Sequence, residues 1–479
     1  MPLPFILGTN AVTGGFNVDN SLRFNSGSTD YLAKAMVAGT SRKTFTASVW
    51  LKMNSSGDMQ FFSSFEDGNN RFFFFVASGI LRLINTTGGT DNIDLRTNRL
   101  LKDSSAWFHL VLRVDTTQST ASNRVRIYIN GVQETSFATE TYPDQNADLE
   151  VGTSSHTNDL GRYGEGGDEF NGYMCEYVFC DGQTLAPTSF GEFDEDSPTI
   201  WKPKNVSGLT FGNNGFYLEF KQTGTSQNSS GLGADTSGED HHFAVTNLTA
   251  VDQATDTPTN NFAVMNSLDN YYAGSTFSEG NTGVVTPTGA TTWNTGTFGV
   301  SAGQWYWEVN YSAKSNTDAA MIGIAEAPTV SASAVLGNTA RSVSYYTNGN
   351  KYVGTSGASY GDTYTVGDII GVALDMDNAK LYFSKNGTWQ NSGDPTSGAT
   401  GTGAIGITAV ASTSNGFYFP AVGDYGTPTT TAITFLLNFG NPSYAISSGN
   451  ADGNGYGNFE YAPPSGFYAL CTKNLAEFG

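Results

Sequence analysis

A chain of 479 residues with a net charge of −21 has the length of roughly three domains, and its charge repels phosphate backbones and anionic lipid alike, which argues against nucleic acid or an acidic membrane as a partner. Charged residues make up only 14 % of the chain and glycine takes 57 positions, with Ser, Thr and Asn filling most of the other polar ones. This composition disfavours long helices and fits an all-β chain with many turns and under about 10 % helix.

The N-terminal stretch Met1-Pro2-Leu3-Pro4-Phe5-Ile6-Leu7-Gly8 is apolar but too short to span a bilayer, so no membrane insertion is expected. It lacks the basic region and cleavage site of a signal peptide, and reads either as a docking peg or as a strand packed on its own domain. Strand patterns follow at Ser21–Phe24, Phe45–Leu51, Arg71–Val76 and Ile80–Ile84. The run Phe72–Phe75 places rings on both faces of its strand, which requires either cover on both sides or an interface. Trp107–Asp115 and Val125–Ile129 alternate apolar and polar residues, and Asn130-Gly131 closes them with the turn signal of an antiparallel hairpin. Cys175 and Cys180 stand five apart on one strand pattern, an odd offset that predicts opposite faces and no mutual disulfide. Three cysteines make no disulfide framework and suit folding in a reducing compartment.

Residues 1–198 thus read as a first sandwich. Residues 199–260, with Trp201-Lys202-Pro203-Lys204 and one aromatic strand at Gly215–Phe220 among Thr, Gly, Ser and Asp, read as a loop-rich connector. Residues 261–445 read as a second sandwich, marked by Trp305–Val309, Met321–Ala325, a hairpin across 367–387 with Asn386-Gly387 in it, Phe417–Ala421 and Thr434–Gly440. Residues 446–479 read as an extended tail pinned by apolar anchors. No heptads are present, so a trimer would form through sandwich faces or termini.

Several motifs invite chemistry. Gly166-Gly167-Asp168-Glu169-Phe170 spells a cyclase signature, but that chemistry needs an α/β domain and the surroundings are strand and turn. His109 lies within a strand and reads as structural; Glu239-Asp240-His241-His242 has ligand residue types but no second cluster at metal spacing. Glu66-Asp67-Gly68-Asn69 and Asp168-Glu169 are acidic loops without the spaced ligands of a calcium loop. No nucleophile elbow, zinc-protease helix or Glu-x-Asp-x-Glu run appears. No residue is assigned a catalytic or metal-binding role, and no cofactor is implied. Two aromatics at loop-like positions, Tyr346 and Trp389, are the candidate ligand-binding residues, because exposed rings stack on sugars and dominate binding hot spots.

The Trp107-Phe108-His109 strand and the closing run Phe170–Phe179 resemble the laminin-G/concanavalin-like lectin family. The ordered markers of the second half resemble a SPRY domain: an aromatic strand, a Gly-centred strand, the Gly367-Asp368 hairpin, Phe417-Tyr418-Phe419-Pro420 and Asn438-Phe439-Gly440. Both families are binding sandwiches without catalytic machinery of their own. Their pairing through Trp201-Lys202-Pro203-Lys204, with a tail carrying Pro464-Ser465-Gly466-Phe467-Tyr468-Ala469-Leu470-Cys471, resembles virion proteins of tailed bacteriophages, above all fibres and spikes. That resemblance implies a non-enzymatic structural protein, assembled in the host cytoplasm and located in the virion. Its implied partners are other virion proteins and a host-surface glycan or protein, and it implies a homo-oligomer, a trimer by preference. A head-decoration protein, a bacterial surface adhesin and a polysaccharide-cleaving enzyme are the rival readings.

Overall fold

Alternation decides which side of each strand is buried. In Phe108–Asp115, Leu110, Leu112 and Val114 enter the main core of the first half, whereas Val111 joins a second cluster on the opposite face. The structure, a computed structural model, describes residues 15–479 except 56, 317–318, 340, 355 and 426–431. They form two units, 15–259 and 260–479. Helical turns account for 7 % of the residues, so the chain is nearly all-β, as its composition predicts.

Among the described residues, the first unit has two antiparallel sheets of eight strands. In one, Val125–Ile129, Phe108–Asp115, Thr44–Met53, Gly172–Asp181 and Ser21–Phe24 lie side by side. In the other, Thr90–Leu100, Ile80–Thr87, Asn70–Ala77, Met59–Asp67, Thr157–Leu160 and Tyr31–Ala35 do. Their facing sides share one aromatic core, in which the ring of Phe45 lies 5.7 Å from Phe72 and 5.4 Å from Phe179. Phe72 and Phe74 point into this core. Phe73 and Phe75, on the other face, are only 5 % and 9 % exposed. Tyr163, Phe65 and the Arg71 guanidinium cover Phe73, and the Arg82 guanidinium covers Phe75. The run is covered on both sides by its own chain and leaves no bare ring for a subunit contact.

The stretch 199–260, expected as a connector, instead extends this unit. Phe216–Leu218 pairs with Gly172–Asp181, Ala244–Thr246 with Tyr31–Ala35, and Gln253–Ala254 with Ser21–Phe24. Strands of two or three residues are too short to show a period, so composition alone described them. Buried ion pairs fasten the end of the stretch: Lys52 Nζ lies 2.7 Å from Asp256 Oδ2, and Arg23 Nη2 lies 3.4 Å from Asp252 Oδ1. Trp107 Nε1 donates to the other Asp256 oxygen at 2.8 Å.

The expected opposition of Cys175 and Cys180 is overturned by a bulge. Cys175 pairs with Trp50 and Cys180 with Thr46, and the register shifts between Cys175 and Val178, where Glu176 takes a φ of 49°. The extra residue returns both thiols to one face. They remain about 13 Å apart along the strand, and all three cysteines are free and buried.

The second unit pairs a nine-stranded sheet with a six-stranded one, counted among the described residues. The larger contains Ile433–Asn438, Gln304–Lys314, Ile369–Asp375 and Lys380–Lys385 in that order; the smaller runs Trp293–Thr295, Phe419–Asp424, Ala320–Ala325, Ser342–Tyr346, Asn350–Val353, Ser356–Ser359. The tail is part of this unit. Tyr468–Ala469 adds a parallel strand beside Gln304–Lys314, and Thr472–Phe478 is a short α-helix. Two carboxylates hold it: Glu308 accepts the backbone N–H groups of Glu460 and Tyr461 at 3.0 and 2.7 Å, and Asp452 accepts the Ala469 N–H at 2.8 Å.

Both Asn-Gly turns have the left-handed pair of dihedrals their hairpins need: φ of 49° and 76° at Asn130 and Gly131, and 47° and 79° at Asn386 and Gly387. Each glycine also lies under an aromatic ring from later in the chain. A Cβ would stand 2.5 Å from Trp201 at the first and 2.6 Å from Tyr461 at the second. No helix among the described residues is long and apolar enough to cross a membrane.

Candidate functional site

Strand Ser342–Tyr346 alternates. Tyr345 points inward, fully buried among Tyr360, Tyr364 and Phe383, and Tyr346 points outward. Tyr346 pairs with Met321, whose other neighbour is Gly423, and Tyr352 pairs across from Ser344. That register carries Tyr346, Tyr352 and Tyr425 to the same outer face. Their ring centroids form a triangle of 5.5, 5.8 and 6.0 Å. Below it Trp293, Met321, Ala421, Val335 and Leu336 form an apolar bed against which Tyr346 and Tyr352 pack half-buried. Tyr425 is 46 % exposed.

Beside this triangle opens a cleft of about 370 Å³ lined by Tyr346, Thr347, Asn348, Thr363, Tyr364, Thr365 and Lys385. Its walls are set from beneath. The Tyr364 hydroxyl lies 2.8 Å from the Ala320 carbonyl and 2.9 Å from the Tyr345 carbonyl and shares its one proton between them, which fixes the ring. Lys385 Nζ donates to the Thr363 carbonyl at 2.8 Å and lies 3.3 Å from the Asp368 carboxylate. Burial works upward on the Asp368 carboxyl, but the Thr365 N–H, Asn386 and Lys385 together hold it below the usual carboxylate range. The cation of the cleft is therefore already matched by an anion.

The two residues singled out from the sequence do not meet. Tyr346 joins the triangle to the cleft. Trp389, in a two-residue strand paired with Ser384, lies half-buried with its ring 6.5 Å from Tyr306, in the cluster that Phe459 and Phe467 complete. Tyr352 and Tyr425 were not singled out. The available signal was their position: Tyr352 falls on the outward parity of Asn350–Val353, and Tyr425 on that of Gly423, two residues before it.

The remaining motifs serve the fold. His109 is wholly buried, stacked 4.7 Å from Trp50 and 6.1 Å from Trp201. Trp201 Nε1 donates to its Nδ1 at 2.9 Å, so Nε2 carries the proton and donates to Ser48 Oγ at 2.7 Å. Burial pushes its pKa down to about 3. In the cyclase-like signature, Gly166 and Gly167 make a turn with φ of 93° and 114°, and Phe170 packs in the core against Phe24 and Phe61. The His241 N–H donates to Asp235 at 2.8 Å and His242 Nδ1 accepts the Asp235 N–H at 3.0 Å, which closes a loop. Asp67 Oδ1 caps its own turn, accepting the N–H groups of Asn69 and Asn70 at 2.7 and 2.9 Å. Glu176, the bulge residue, is buried against the Tyr217 hydroxyl, which donates to it; burial pushes its carboxyl up to about 7.

Comparison with known proteins now bears on this geometry. Residues 26–185 match the concanavalin A-like lectin/glucanases superfamily, and residues 304–421 match the SPRY domain. The chain carries a concanavalin-like domain and a SPRY domain. The tyrosine triangle spans the SPRY match and its immediate C-terminal flank. Among solved structures, the chain is similar to the SPRY domain of human HERC1, with 19 % identity over 32 % of this chain and 86 % of that one at a TM-score of 0.24. It is also similar to a heptameric SAP-like pentraxin from Limulus polyphemus, with 13 % identity over 40 % of this chain and 98 % of that one at 0.26. A third is described as a putative carbohydrate binding protein from Bacteroides ovatus, with 15 % identity over 49 % of this chain and 60 % of that one at 0.31. At these identities and TM-scores no function passes from them to this chain. A search of curated proteins gives no match.

Proposed function

We propose that this chain is a non-enzymatic attachment protein of a tailed-phage virion, and that it meets the host surface at the Tyr346 rim of its SPRY domain. The observation that carries the binding role is the tyrosine triangle beside an open cleft. Three rings gathered from separate strands onto one face supply a large contact area with few rotors to immobilise, the composition that dominates binding hot spots. The virion setting is supported by the resemblance of the whole domain order to phage fibres and spikes. It brings with it cytoplasmic assembly, neighbouring virion proteins and a homo-oligomer, a trimer by preference, in which several weak contacts multiply.

The test is adsorption of the purified full chain to a panel of bacteria. Tyr425→Ala, at the exposed ring of the triangle, weakens adsorption by about 1–2 kcal/mol, five- to thirtyfold, without lowering the melting temperature. Tyr346→Ala weakens adsorption as well but also lowers the melting temperature, because its ring packs on the apolar bed. Trp389→Ala, which opens the contact with Tyr306, lowers the melting temperature and leaves adsorption in place. Adsorption that survives both tyrosine variants removes the rim as the attachment site. The mass of the chain at micromolar concentration decides the oligomer separately.

A further inference from the structure

The chemistry of the cleft narrows what it can hold. Its polar lining is neutral apart from one cation: the exposed Asn348, Thr363 and Thr365 offer amide and hydroxyl groups and Tyr346 offers ring surface, while Thr347 and Tyr364 are buried in its wall. Lys385 is engaged by the Thr363 carbonyl and the Asp368 carboxylate, so an anionic ligand would find a compensated charge within a chain of net charge −21. An acidic sugar, a phosphate or an acidic peptide is thereby disfavoured. A basic peptide would have to displace or face Lys385. What remains is a neutral ligand that pairs apolar C–H faces with many hydroxyl groups, and a volume of about 370 Å³ lies in the range of small-ligand sites.

We propose that the Tyr346 cleft takes a neutral hexose glycan, with a sugar ring lying on Tyr346 and its hydroxyls meeting Asn348, Thr363 and Thr365. This rests on the reading of the rim as the attachment site and names the ligand class for it. Tyr352 and Tyr425 then extend the stacking surface to the next sugar of the chain.

The experiment has two arms. In the first, the full chain is titrated against immobilised neutral polymers (dextran, mannan and galactan) and against anionic ones (alginate and hyaluronate), at low and at high salt. The expected result is binding to at least one neutral polymer, changed less than twofold by salt, weakened about tenfold or more by Tyr346→Ala and weakened with melting unchanged by Tyr425→Ala, whose ring is 46 % exposed. Binding confined to the anionic polymers and lost in high salt, or no binding to any polymer, overturns the proposal. In the second arm, adsorption to bacteria is measured after the cells are treated with periodate or with protease. Loss on periodate treatment alone supports a glycan. If Tyr346→Ala abolishes adsorption and only protease removes the receptor, the rim stands as the attachment site and the glycan proposal falls. If adsorption ignores both Tyr346→Ala and Tyr425→Ala, the attachment reading itself fails.

Discussion

Both domains are completed by chain made late, and they fasten it by different means. In the concanavalin-like unit, the cations of Lys52 and Arg23 reach for the carboxylates of Asp256 and Asp252, and Arg23 also donates to the Val251 carbonyl at 2.8 Å, so the Lys52 fastening above all depends on two particular side chains. In the SPRY unit, the carboxylates of Glu308 and Asp452 grip main-chain N–H groups at Glu460, Tyr461 and Ala469. Any residue other than proline supplies such a donor. The first fastening is specific and brittle. The second fixes the path of the tail through its backbone, while the Glu460 carboxylate separately accepts the Ser447 N–H and the Tyr461 ring covers Gly387.

The largest effect should come from breaking the specific fastening on one side only. Lys52→Met leaves Asp256 buried without its cation, and about 3–5 kcal/mol of stability should go from the concanavalin-like unit. Calorimetry of the full chain should show one transition moved and the other in place. Lys52→Met with Asp256→Leu should recover much of the loss; a pair as damaging as the single variant would mean that the aspartate matters chiefly to Trp107.

The second effect is the share of the pH profile that Glu176 and His109 give the same unit. Glu176 binds its proton more tightly folded, at about 7, than at its ordinary 4.5, so its contribution is whole below 4.5 and is lost as pH rises through 7. His109 binds its proton less tightly folded, at about 3, than at its ordinary 6.5, so its contribution is whole above 6.5 and is lost as pH falls toward 3. Between 4.5 and 6.5 the two slopes have opposite sign and cancel, which gives a plateau. Glu176→Gln keeps an oxygen for the Tyr217 hydroxyl and removes one slope. Stability should then climb from acid up to pH 6.5 and stay level, with a gain of about 3 kcal/mol at pH 8. Melting temperatures from pH 4 to pH 8 test this, and a plateau unchanged in the variant would refute it.

The smallest effect belongs to the main-chain fastening. Glu308→Gln has one oxygen where two are needed, and its amide group must face an N–H. Asn438 cannot turn to relieve it, because its amide also donates to the Asn458 carbonyl and its oxygen accepts the Gly440 N–H. A loss of about 1–3 kcal/mol is expected, with faster amide exchange at 459–461. A loss as large as that of Lys52→Met would erase the contrast between the two fastenings.

What the sequence disclosed followed from length of pattern. Phe108–Asp115 and Ile369–Asp375 are long enough to show their period, and the Asn-Gly turns at 130–131 and 386–387 carry a signal that needs no context. Gln253–Ala254 is two residues long and has no period to show. The bulge at Glu176 broke a parity argument that was sound for an unbulged strand. The candidate site was only partly legible for a related reason. Tyr346 was in view, but Tyr352 and Tyr425 become its neighbours only through the lateral order of a sheet, which no local window contains. Trp389 looked like a loop ring because the segment that half-covers it, around Phe459 and Phe467, comes some seventy residues later.

The pairing of Gln253–Ala254 with Ser21–Phe24 has a consequence for the order of events during synthesis. A ribosome emits the chain from its N-terminus, so the edge of Ser21–Phe24 waits for its partner strand until more than two hundred further residues have emerged. A nascent chain stalled with residue 198 just outside the exit tunnel therefore presents an open edge before Asp252 and Asp256 have been made. One stalled beyond residue 259 presents a closed domain that can finish folding while the SPRY half is still being made.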